Sequence, residues 1–188
     1  MKHTTAKLTL CALFAALSAI LSQIAIPIGP VPINLTHISI LTAAGLLGWK
    51  YAALSQLAYV AMGAVGLPVF SNFSGGMHKI AGPTGGFIIG YIVCALVTAA
   101  IIDFGDNGRS RGGTPMKILL PAMAAGWILT YALGSLWFMA VMHASLSTAL
   151  MTCVAPFLIG DAAKTAISAV LINRLRPIVK SKFKQTKS

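Results

Sequence analysis

The residues with the clearest chemical potential are Asp161 and Lys164, which lie in an otherwise apolar run over residues 155–176. A carboxylate accepts hydrogen bonds and an ammonium group donates them, so the pair can bind a ligand group that carries both polarities. Their spacing projects both side chains from one face of a helix. Charges within a membrane span cost on the order of 3 kcal/mol each, so they usually face a cavity or a partner. The pair therefore predicts the polar floor of a ligand pocket.

The helix that carries this pair is predicted to begin near Pro156, because proline suits the first helical turn. A rise of about 1.5 Å per residue then sets Asp161 about 7 to 8 Å, and Lys164 about 12 Å, below the helix start. In a hydrocarbon core about 30 Å thick, that position is shallow. We expect the pocket to open on the side where this helix starts.

The charged pair leaves two other interpretations open. Asp161 and Lys164 can neutralise each other as a structural ion pair, although a buried pair often stabilises a protein less than apolar side chains of equal volume. An acid and a lysine can also do acid–base chemistry, which makes an intramembrane enzyme the remote alternative. Because the sequence has no HExxH motif, no GxSxG motif and no paired carboxylates in a span, we predict no catalytic residues.

The composition defines the class of protein. The 188 residues are 57% hydrophobic and only 9% charged, which predicts an integral membrane protein. The net charge of +11, from 14 Lys and Arg against three Asp, would suggest a nucleic-acid partner if positions were ignored. The basic residues lie in loops and tails beside apolar segments, so we predict a membrane environment and no nucleic acid.

The apolar segments predict an all-α integral membrane fold, a single domain over residues 1–188 that forms a bundle of six transmembrane helices. The approximate spans are 8–26, 33–47, 51–67, 86–102, 115–142 and 156–175. The first resembles a signal peptide in general shape, but its length favours a retained helix. The three cysteines lie far apart, without CxxC or histidine spacing, and predict neither a disulfide nor a metal site.

The distribution of basic residues predicts the orientation. Six spans put both termini on one side, and of the 14 Lys and Arg residues only Lys79 and Lys164 fall elsewhere. The positive-inside rule therefore assigns both termini to the cytoplasm. It follows that residues 27–34, 67–86 and 143–161 converge around one externally open site.

Two loops near this site supply further candidate contacts. Residues 27–34 contain three prolines, which favour extended backbone and either cap a pocket or simply end a helix. Residues 67–86 are glycine-rich without a phosphate-binding loop motif, and suit a loop that folds back into the protein, with a solvated connector as the alternative. The polar candidates in the glycine-rich loop are Asn72, Ser74, His78 and Lys79. Asn34 and Thr36, at the start of the second span, are further candidates, with interfacial polar groups as the alternative.

Small residues recur at four-residue spacing in the first helix, as Ala12 with Ala16 and, offset, as Ala15 with Ala19. Such rows let helices approach each other closely in lipid. They also arise by chance in alanine-rich spans. The spacing alone therefore leaves a docking face for a partner as one of two interpretations.

Several motifs over most of the chain resemble the BioY family, the biotin-binding membrane components of energy-coupling factor (ECF) vitamin transporters. They are GLPVF at 66–70, GG at 75–76, GPTGGF at 82–87 and PFxxGDxxK at 156–164. The resemblance implies a six-helix substrate-capture subunit in the cytoplasmic membrane, with biotin as the transported ligand and no cofactor. It also implies a transmembrane coupling protein and ATP-binding-cassette ATPases as partners. A different vitamin in the same transporter type remains the main alternative.

The resemblance assigns roles to individual residues. Asp161 and Lys164 match the ligand-contacting acid and lysine of the family's GDxxK motif. The family's polar contact before the GG pair falls on Ser74, or on Asn72 if the loop shifts by two residues. An Asn is expected beside that pair, so Ser74 is a departure from the family's pattern. Thr36 is a second departure, because it replaces the Gln of the usual VPxxLQ.

The resemblance also bears on the alanine rows and on the outer loop. The rows of the first helix, chiefly Ala12 and Ala16, look like the family's docking motif for the coupling protein. With the ureido ring of biotin on the charged pair, the valerate carboxylate points outward, where His78 and Lys79 can meet it. The reverse orientation, with the carboxylate on Lys164, is also chemically reasonable.

Overall fold

A computed structural model describes residues 2–27, 29–106 and 114–185 of the chain. These residues form eight α-helices and one two-stranded sheet. The helices are α1 (Lys2–Gln23), α2 (Thr36–Leu47), α3 (Trp49–Ala64), α4 (Met77–Ala81), α5 (Gly85–Asp106), α6 (Met116–Met142), α7 (Leu146–Cys153) and α8 (Leu158–Gln185), and the strands are β1 (Ala25–Ile26) and β2 (Ile33–Asn34). Arg109, Arg111 and Lys187, which contribute to the predicted orientation, lie outside the described residues.

A short β-hairpin follows α1 and corrects the purely all-α prediction. The strands pair antiparallel, with Ala25 opposite Asn34 and Ile26 opposite Ile33. The connection between them carries the three prolines of the proline-rich loop. The predicted helical bounds 8–26 and 33–47 are therefore wrong at the ends that meet here, because pairing between the two segments keeps both backbones extended.

Other predicted bounds shift at helix ends. α3 begins and ends earlier than the predicted 51–67, and α5 extends beyond the predicted 86–102 at both ends. α8 begins later than predicted, so Pro156 lies in the turn before the helix instead of in its first turn. α6 has nearly the bounds predicted from the apolar pattern.

The interior is packed around α2, which contacts α1, α3, α5 and α8. Ile40, Leu41 and other α2 side chains are completely buried. A small polar network crosses this interior, because Ser18 Oγ lies 2.9 Å from Ser39 Oγ and 3.2 Å from Gln56 Oε1. Polar groups in a dry interior need such partners. The network links α1, α2 and α3.

Glycines allow α5 and α6 to pack closely. A Cβ atom added at Gly86 would lie 2.3 Å from Trp137 Cβ, and one added at Gly134 would lie 2.3 Å from ring atoms of Phe87. Both distances are shorter than atoms tolerate, so a side chain at either position would push the helices apart. Close approach at small residues is typical of helix pairs in membranes.

The end of α5 near Asp106 is tied to the rest of the bundle by acidic side chains. Asp106 Oδ2 lies 3.3 Å from Arg176 Nη2 of α8, and both residues are buried. Trp49 N donates a hydrogen bond of 3.0 Å to Asp103 Oδ2. Residues 103–106 therefore belong to a helix with buried contacts, whereas the sequence predicted a solvated loop beginning at residue 103.

Three helices among the described residues are long and apolar enough to cross a membrane, namely Thr4–Gln23, Gly85–Asp106 and Met116–Met142. A fourth span results if Leu146–Cys153 and Leu158–Val179, which are bent by 50° relative to each other, count as one. α2 is apolar but shorter. The structure is thus mostly helical, with several helices suited to a bilayer.

Candidate functional site

The predicted charged pair forms at the start of α8. Lys164 Nζ lies 2.7 Å from Asp161 Oδ1, and each residue is only 5% exposed. Asp161 N donates a hydrogen bond of 2.8 Å to the carbonyl oxygen of Phe157. Asp161 therefore belongs to the first helical turn, closer to the helix start than Pro156 predicted. A carboxylate in this position is also stabilised by the helix dipole.

Two aromatic residues of α6, Trp127 and Tyr131, lie against the pair and begin what we call the aromatic wall. The Tyr131 hydroxyl donates a hydrogen bond to Asp161 Oδ2. Trp127 stacks on Tyr131 with ring centroids 5.6 Å apart, and its Nε1 donates a 3.0 Å hydrogen bond to Thr165 Oγ1. Lys164 Nζ lies 6.0 Å from the centroid of the Trp127 ring. Because both carboxylate oxygens of Asp161 have protein donors, the side chain is oriented without a ligand.

This pair and wall line one side of a cavity of about 30 Å³, which we name the inner chamber. It is lined by Val31, Pro32, Asn34, His37, Phe87, Tyr91, Trp127, Thr130, Tyr131, Phe157, Asp161 and Lys164. Apolar and aromatic surfaces with a few convergent polar groups are typical of small-molecule sites.

A second cavity, the outer chamber, has a volume of about 150 Å³. It is bounded by the proline-rich loop, the glycine-rich segment and the start of α5. The residues that line both chambers are Val31, Pro32, Asn34, Phe87 and Tyr91. The two chambers are therefore neighbours that share a wall. Residues 27–34 line both chambers, residues 67–86 line the outer one and the end of residues 143–161 lines the inner one, so the three predicted segments meet around two adjoining cavities instead of one.

Asn34 is the polar centre of the shared wall. Its Nδ2 donates a 2.9 Å hydrogen bond to Ser71 Oγ and lies 3.4 Å from the Tyr91 hydroxyl. Its Oδ1 accepts a 3.1 Å hydrogen bond from Thr36 N. One buried amide thus ties the hairpin, the glycine-rich segment, α2 and α5 together beside both chambers.

The remaining predicted contacts divide into two groups. Asn72, Ser74 and Lys79 line the outer chamber. Thr36 is completely buried and His78 is exposed, and neither lines a chamber. The structure therefore brings the first three near a common cavity and leaves the other two outside it.

The segment that carries Asn72 and Ser74 is held by the end of α1. Gln23 Oε1 accepts a 2.8 Å hydrogen bond from Phe73 N, and Gln23 Nε2 donates one of 3.2 Å to the Phe70 carbonyl oxygen. Ser22 Oγ also donates to the carbonyl oxygen of Val69. The glycine-rich segment is thus anchored to a helix instead of forming a solvated connector.

This anchored segment contains unusual backbone. Asn72 and Phe73 have φ values of 60° and 52°, in the left-handed region that side chains rarely adopt. Phe70 and Ser74 exchange backbone hydrogen bonds of 2.9 and 3.2 Å across this turn. Consecutive non-glycine residues in this region cost energy and persist where surrounding contacts fix them. The contacts from Gln23 supply that constraint.

A third cavity, the lateral groove, has a volume of about 540 Å³ and runs between α6 and α8. Trp127, Tyr131 and Asp161 line both this groove and the inner chamber. The rest of its lining consists of Leu120, Ala124, Ile128, Leu158, Ala162, Thr165 and Ala166. These three side chains therefore form the partition between the inner chamber and the lateral groove.

The two predicted alanine rows of α1 face different surroundings. Ala12 and Ala16 are exposed. Ala15 is 3% exposed and belongs to the core, and Ala19 packs against that core. Because a partner can reach only an exposed face, the docking prediction retains Ala12 and Ala16, whereas Ala15 serves interior packing.

The sequence interpretation missed the aromatic residues of the site. Trp127 and Tyr131 lie four residues apart on one face of α6, which was an available signal. Nothing in the sequence pattern paired that face with Asp161. Tyr91 and His37 join the same wall from α5 and α2, since the His37 ring meets Tyr91 edge-on with centroids 5.0 Å apart.

The three cysteines lie in α1, α5 and α7. Cys11, Cys94 and Cys153 are all buried and free. Within residues 2–27, 29–106 and 114–185, no group of three or more His, Cys, Asp or Glu side chains comes close enough to hold a metal ion.

Long apolar helices around chambers that are lined by aromatic, apolar and a few polar side chains define a helical membrane protein with a cavity between its helices. Residues 1–181 match the BioY family model. The chain is 34% identical to a probable biotin transporter BioY of Pyrococcus horikoshii, over 90% of this chain and 96% of the relative. It is 33% identical to the biotin transporter BioY of Thermotoga maritima, over 88% and 93% of the respective chains. The chain belongs to the BioY family.

A solved structure supports the same assignment. The fold matches the crystal structure of the S-component for biotin from an ECF-type ABC transporter with a TM-score of 0.84. The two chains are 30% identical, and the match covers 93% of each. The fold and the sequence thus lead to the same family.

Proposed function

We propose that this protein captures biotin and serves in its uptake across the cytoplasmic membrane, as the substrate-specific subunit of an ECF-type transporter. The observation that carries the proposal is the buried pair of Asp161 and Lys164, 2.7 Å apart in the wall of an internal chamber. Membership of the BioY family supports biotin as the ligand. A charged pair in a membrane span is costly, and a ligand site accounts for its presence.

The chemistry of biotin suits this pair. Its ureido ring has N–H donors and a carbonyl acceptor, so Asp161 can accept from an N–H group while Lys164 donates to the carbonyl oxygen. The thioether ring and aliphatic chain can pack on Trp127, Tyr91 and neighbouring apolar side chains. The valerate carboxylate then extends into the outer chamber toward Lys79. In the reverse orientation, the carboxylate would bind Lys164.

We infer a bundle of six transmembrane helices, with the short helices α4 and α7 as connectors and both termini in the cytoplasm. The excess of Lys and Arg on the side of the termini supports this orientation. In it, the outer chamber opens away from the cytoplasm. A capture subunit needs that arrangement, because it must take its ligand from outside the cell.

We propose a transmembrane coupling protein and ATP-binding-cassette ATPases as the partners in this function, with transport by the protein alone as the alternative. The exposed row of Ala12 and Ala16 on α1 supports a docking face for the coupling protein, because small residues permit close helix contact in lipid. ATP hydrolysis belongs to these partners in our proposal, and the chain itself has no catalytic role.

Native mass spectrometry of the detergent-purified protein tests the ligand directly. We expect biotin to remain bound at about one molecule per chain, with its mass unchanged. A panel of other vitamins, compared by the thermal shift that each produces, tests the alternative ligand class. The proposal would be contradicted if the protein neither retained biotin nor bound added biotin. It would also be contradicted if only another vitamin raised the melting temperature of the protein. A chemically altered ligand would favour the intramembrane enzyme.

A further inference from the structure

His37 lies at the centre of the aromatic wall. It is the second residue of α2 and is 7% exposed. Its ring stacks on Trp127 with centroids 3.9 Å apart and an interplanar angle of 20°, and Tyr91 meets it edge-on. His37 lines the inner chamber together with Asp161 and Lys164. Its imidazole therefore belongs to the same small cavity as the charged pair.

The Nε2 atom of His37 is buried and has no hydrogen-bond partner among the described residues. Leaving a buried polar atom without a partner costs free energy, and most such atoms in folded proteins are paired. An unpaired nitrogen on a residue that lines a binding chamber indicates a position that a ligand atom completes.

The shape of the ureido group calls for an acceptor at a second position. Its two N–H groups diverge on opposite sides of the carbonyl, so a carboxylate beside one of them does not reach the other. Asp161, whose side chain is already bonded to Lys164 and Tyr131, can serve only one side. The ligand therefore needs a second acceptor across the chamber.

The other polar side chains of the inner chamber are already engaged in hydrogen bonds within the protein, Tyr131 with Asp161 among them. Asn34 Oδ1 is bonded to Thr36 N, and the Tyr91 hydroxyl lies against Asn34 Nδ2. Thr130 Oγ1 lies 2.9 Å from the Gly126 carbonyl oxygen, to which it donates. Trp127 has only a donor. Among the polar side chains lining the chamber, His37 is the one with a buried nitrogen that lacks a partner.

We infer that His37 is a ligand-specificity residue, whose Nε2 accepts a hydrogen bond from the ureido N–H that Asp161 does not bind. This inference rests on the proposed function. It requires the neutral imidazole with its proton on Nδ1. His37 and Asp161 then flank the ureido ring, and Lys164 binds its carbonyl oxygen, so that all three polar positions of the ring are satisfied.

The inner chamber must widen to admit a ring. At about 30 Å³ it has room for about two water molecules. Trp127 and Tyr131 have the lateral groove of about 540 Å³ on their other side. Movement of Trp127 toward this groove enlarges the chamber and removes the ring that covers His37.

The test uses His37→Phe, which keeps an aromatic ring at this position in the chamber wall but has no nitrogen. Affinities are measured by titration calorimetry on the purified full-length protein, with biotin and with two analogues, each methylated on one ureido nitrogen. We expect His37→Phe to bind biotin about tenfold more weakly, which corresponds to one net hydrogen bond. The difference between His37→Phe and wild type should disappear for one analogue and persist for the other.

The control is His143→Asn, which removes an exposed histidine at the end of α6. His143 has a φ of 50°, a backbone conformation that Asn tolerates. This variant should bind biotin like wild type. Unchanged biotin affinity in His37→Phe, or an equal loss for biotin and both analogues, would overturn the role of His37 while leaving biotin capture intact. Wild-type protein that fails to bind biotin would instead contradict the proposed function.

Discussion

Tyr131 of α6 donates a hydrogen bond to Asp161 Oδ2 of α8, while Lys164 Nζ lies 2.7 Å from Oδ1 of the same carboxylate. The carboxylate of Asp161 is therefore held by side chains of two helices. Lys164 belongs to the GDxxK motif, whereas Tyr131 lies outside it. This arrangement fixes the direction in which the carboxylate can accept from a ligand.

We predict that Tyr131→Phe weakens biotin binding by about tenfold. The substitution keeps the ring that stacks on Trp127 but removes the donor to Asp161, and hydrogen bonds to charged groups contribute about 1.5 to 3 kcal/mol. Titration calorimetry measures the change. Tyr51→Phe is the matched control, because Tyr51 lies under Lys7, away from the chambers, and the ring contact of 5.0 Å survives the change. Equal affinities of Tyr131→Phe and wild type would show that this contact does not orient the acid.

A second prediction concerns the anchor between α1 and the glycine-rich segment. Gln23→Leu removes the acceptor for Phe73 N and the donor to the Phe70 carbonyl oxygen. The turn that carries Asn72 should then open more often, because its left-handed backbone loses its constraint. We expect faster dissociation of biotin and faster amide hydrogen exchange at residues 70–74.

Gln23→Glu serves as the graded comparison for this anchor. It keeps an acceptor for Phe73 N but loses the donating amide, so its dissociation rate should fall between those of Gln23→Leu and wild type. If both variants release biotin at the wild-type rate, the anchor contributes nothing to ligand retention.

The two faces of α1 predict opposite outcomes for similar substitutions. Ala16→Leu alters an exposed position and should leave the fold and biotin binding intact while reducing co-purification with a coupling protein. Ala15→Leu inserts a large side chain into a site that is 3% exposed, and should lower the yield and the melting temperature. Ala12→Leu should behave like Ala16→Leu.

Ala132→Leu is the control for the docking face, because Ala132 is an exposed alanine on α6. It should affect neither assembly nor folding. If the Ala12→Leu and Ala16→Leu variants assembled fully with the coupling protein, the proposal that α1 is the docking face would be contradicted.

The sequence predicted the parts of this site that depend on charge and backbone chemistry. Asp161 and Lys164 stood out because ions in an apolar span are costly. The proline-rich and glycine-rich loops stood out because their residues interrupt helices. These effects act locally, so the sequence alone reveals them.

The features that sequence reasoning missed depend on which surfaces meet in three dimensions. Tyr131 and Trp127 become site residues only because α6 turns that face toward α8. The start of α2 moved to Thr36 because β2 pairs with β1, a contact between separate segments. Likewise, Ala15 lies on the side of α1 that packs against the other helices, whereas Ala16 lies on the exposed side.

The most direct test of the account is equilibrium binding of radiolabelled biotin to purified Asp161→Asn and Lys164→Ala. Each substitution leaves its partner without its charged neighbour and removes a proposed ligand contact. Asp103→Asn is the control, because it also neutralises an acid. Asp103 lies near the C-terminal end of α5, whereas the chambers lie near the start of that helix, and Asn keeps an oxygen that can accept from Trp49 N. We predict at least ~100-fold weaker binding, or about 2.7 kcal/mol, for both site variants and wild-type affinity for the control. Wild-type affinity in either site variant would contradict the assignment of the charged pair as the biotin site.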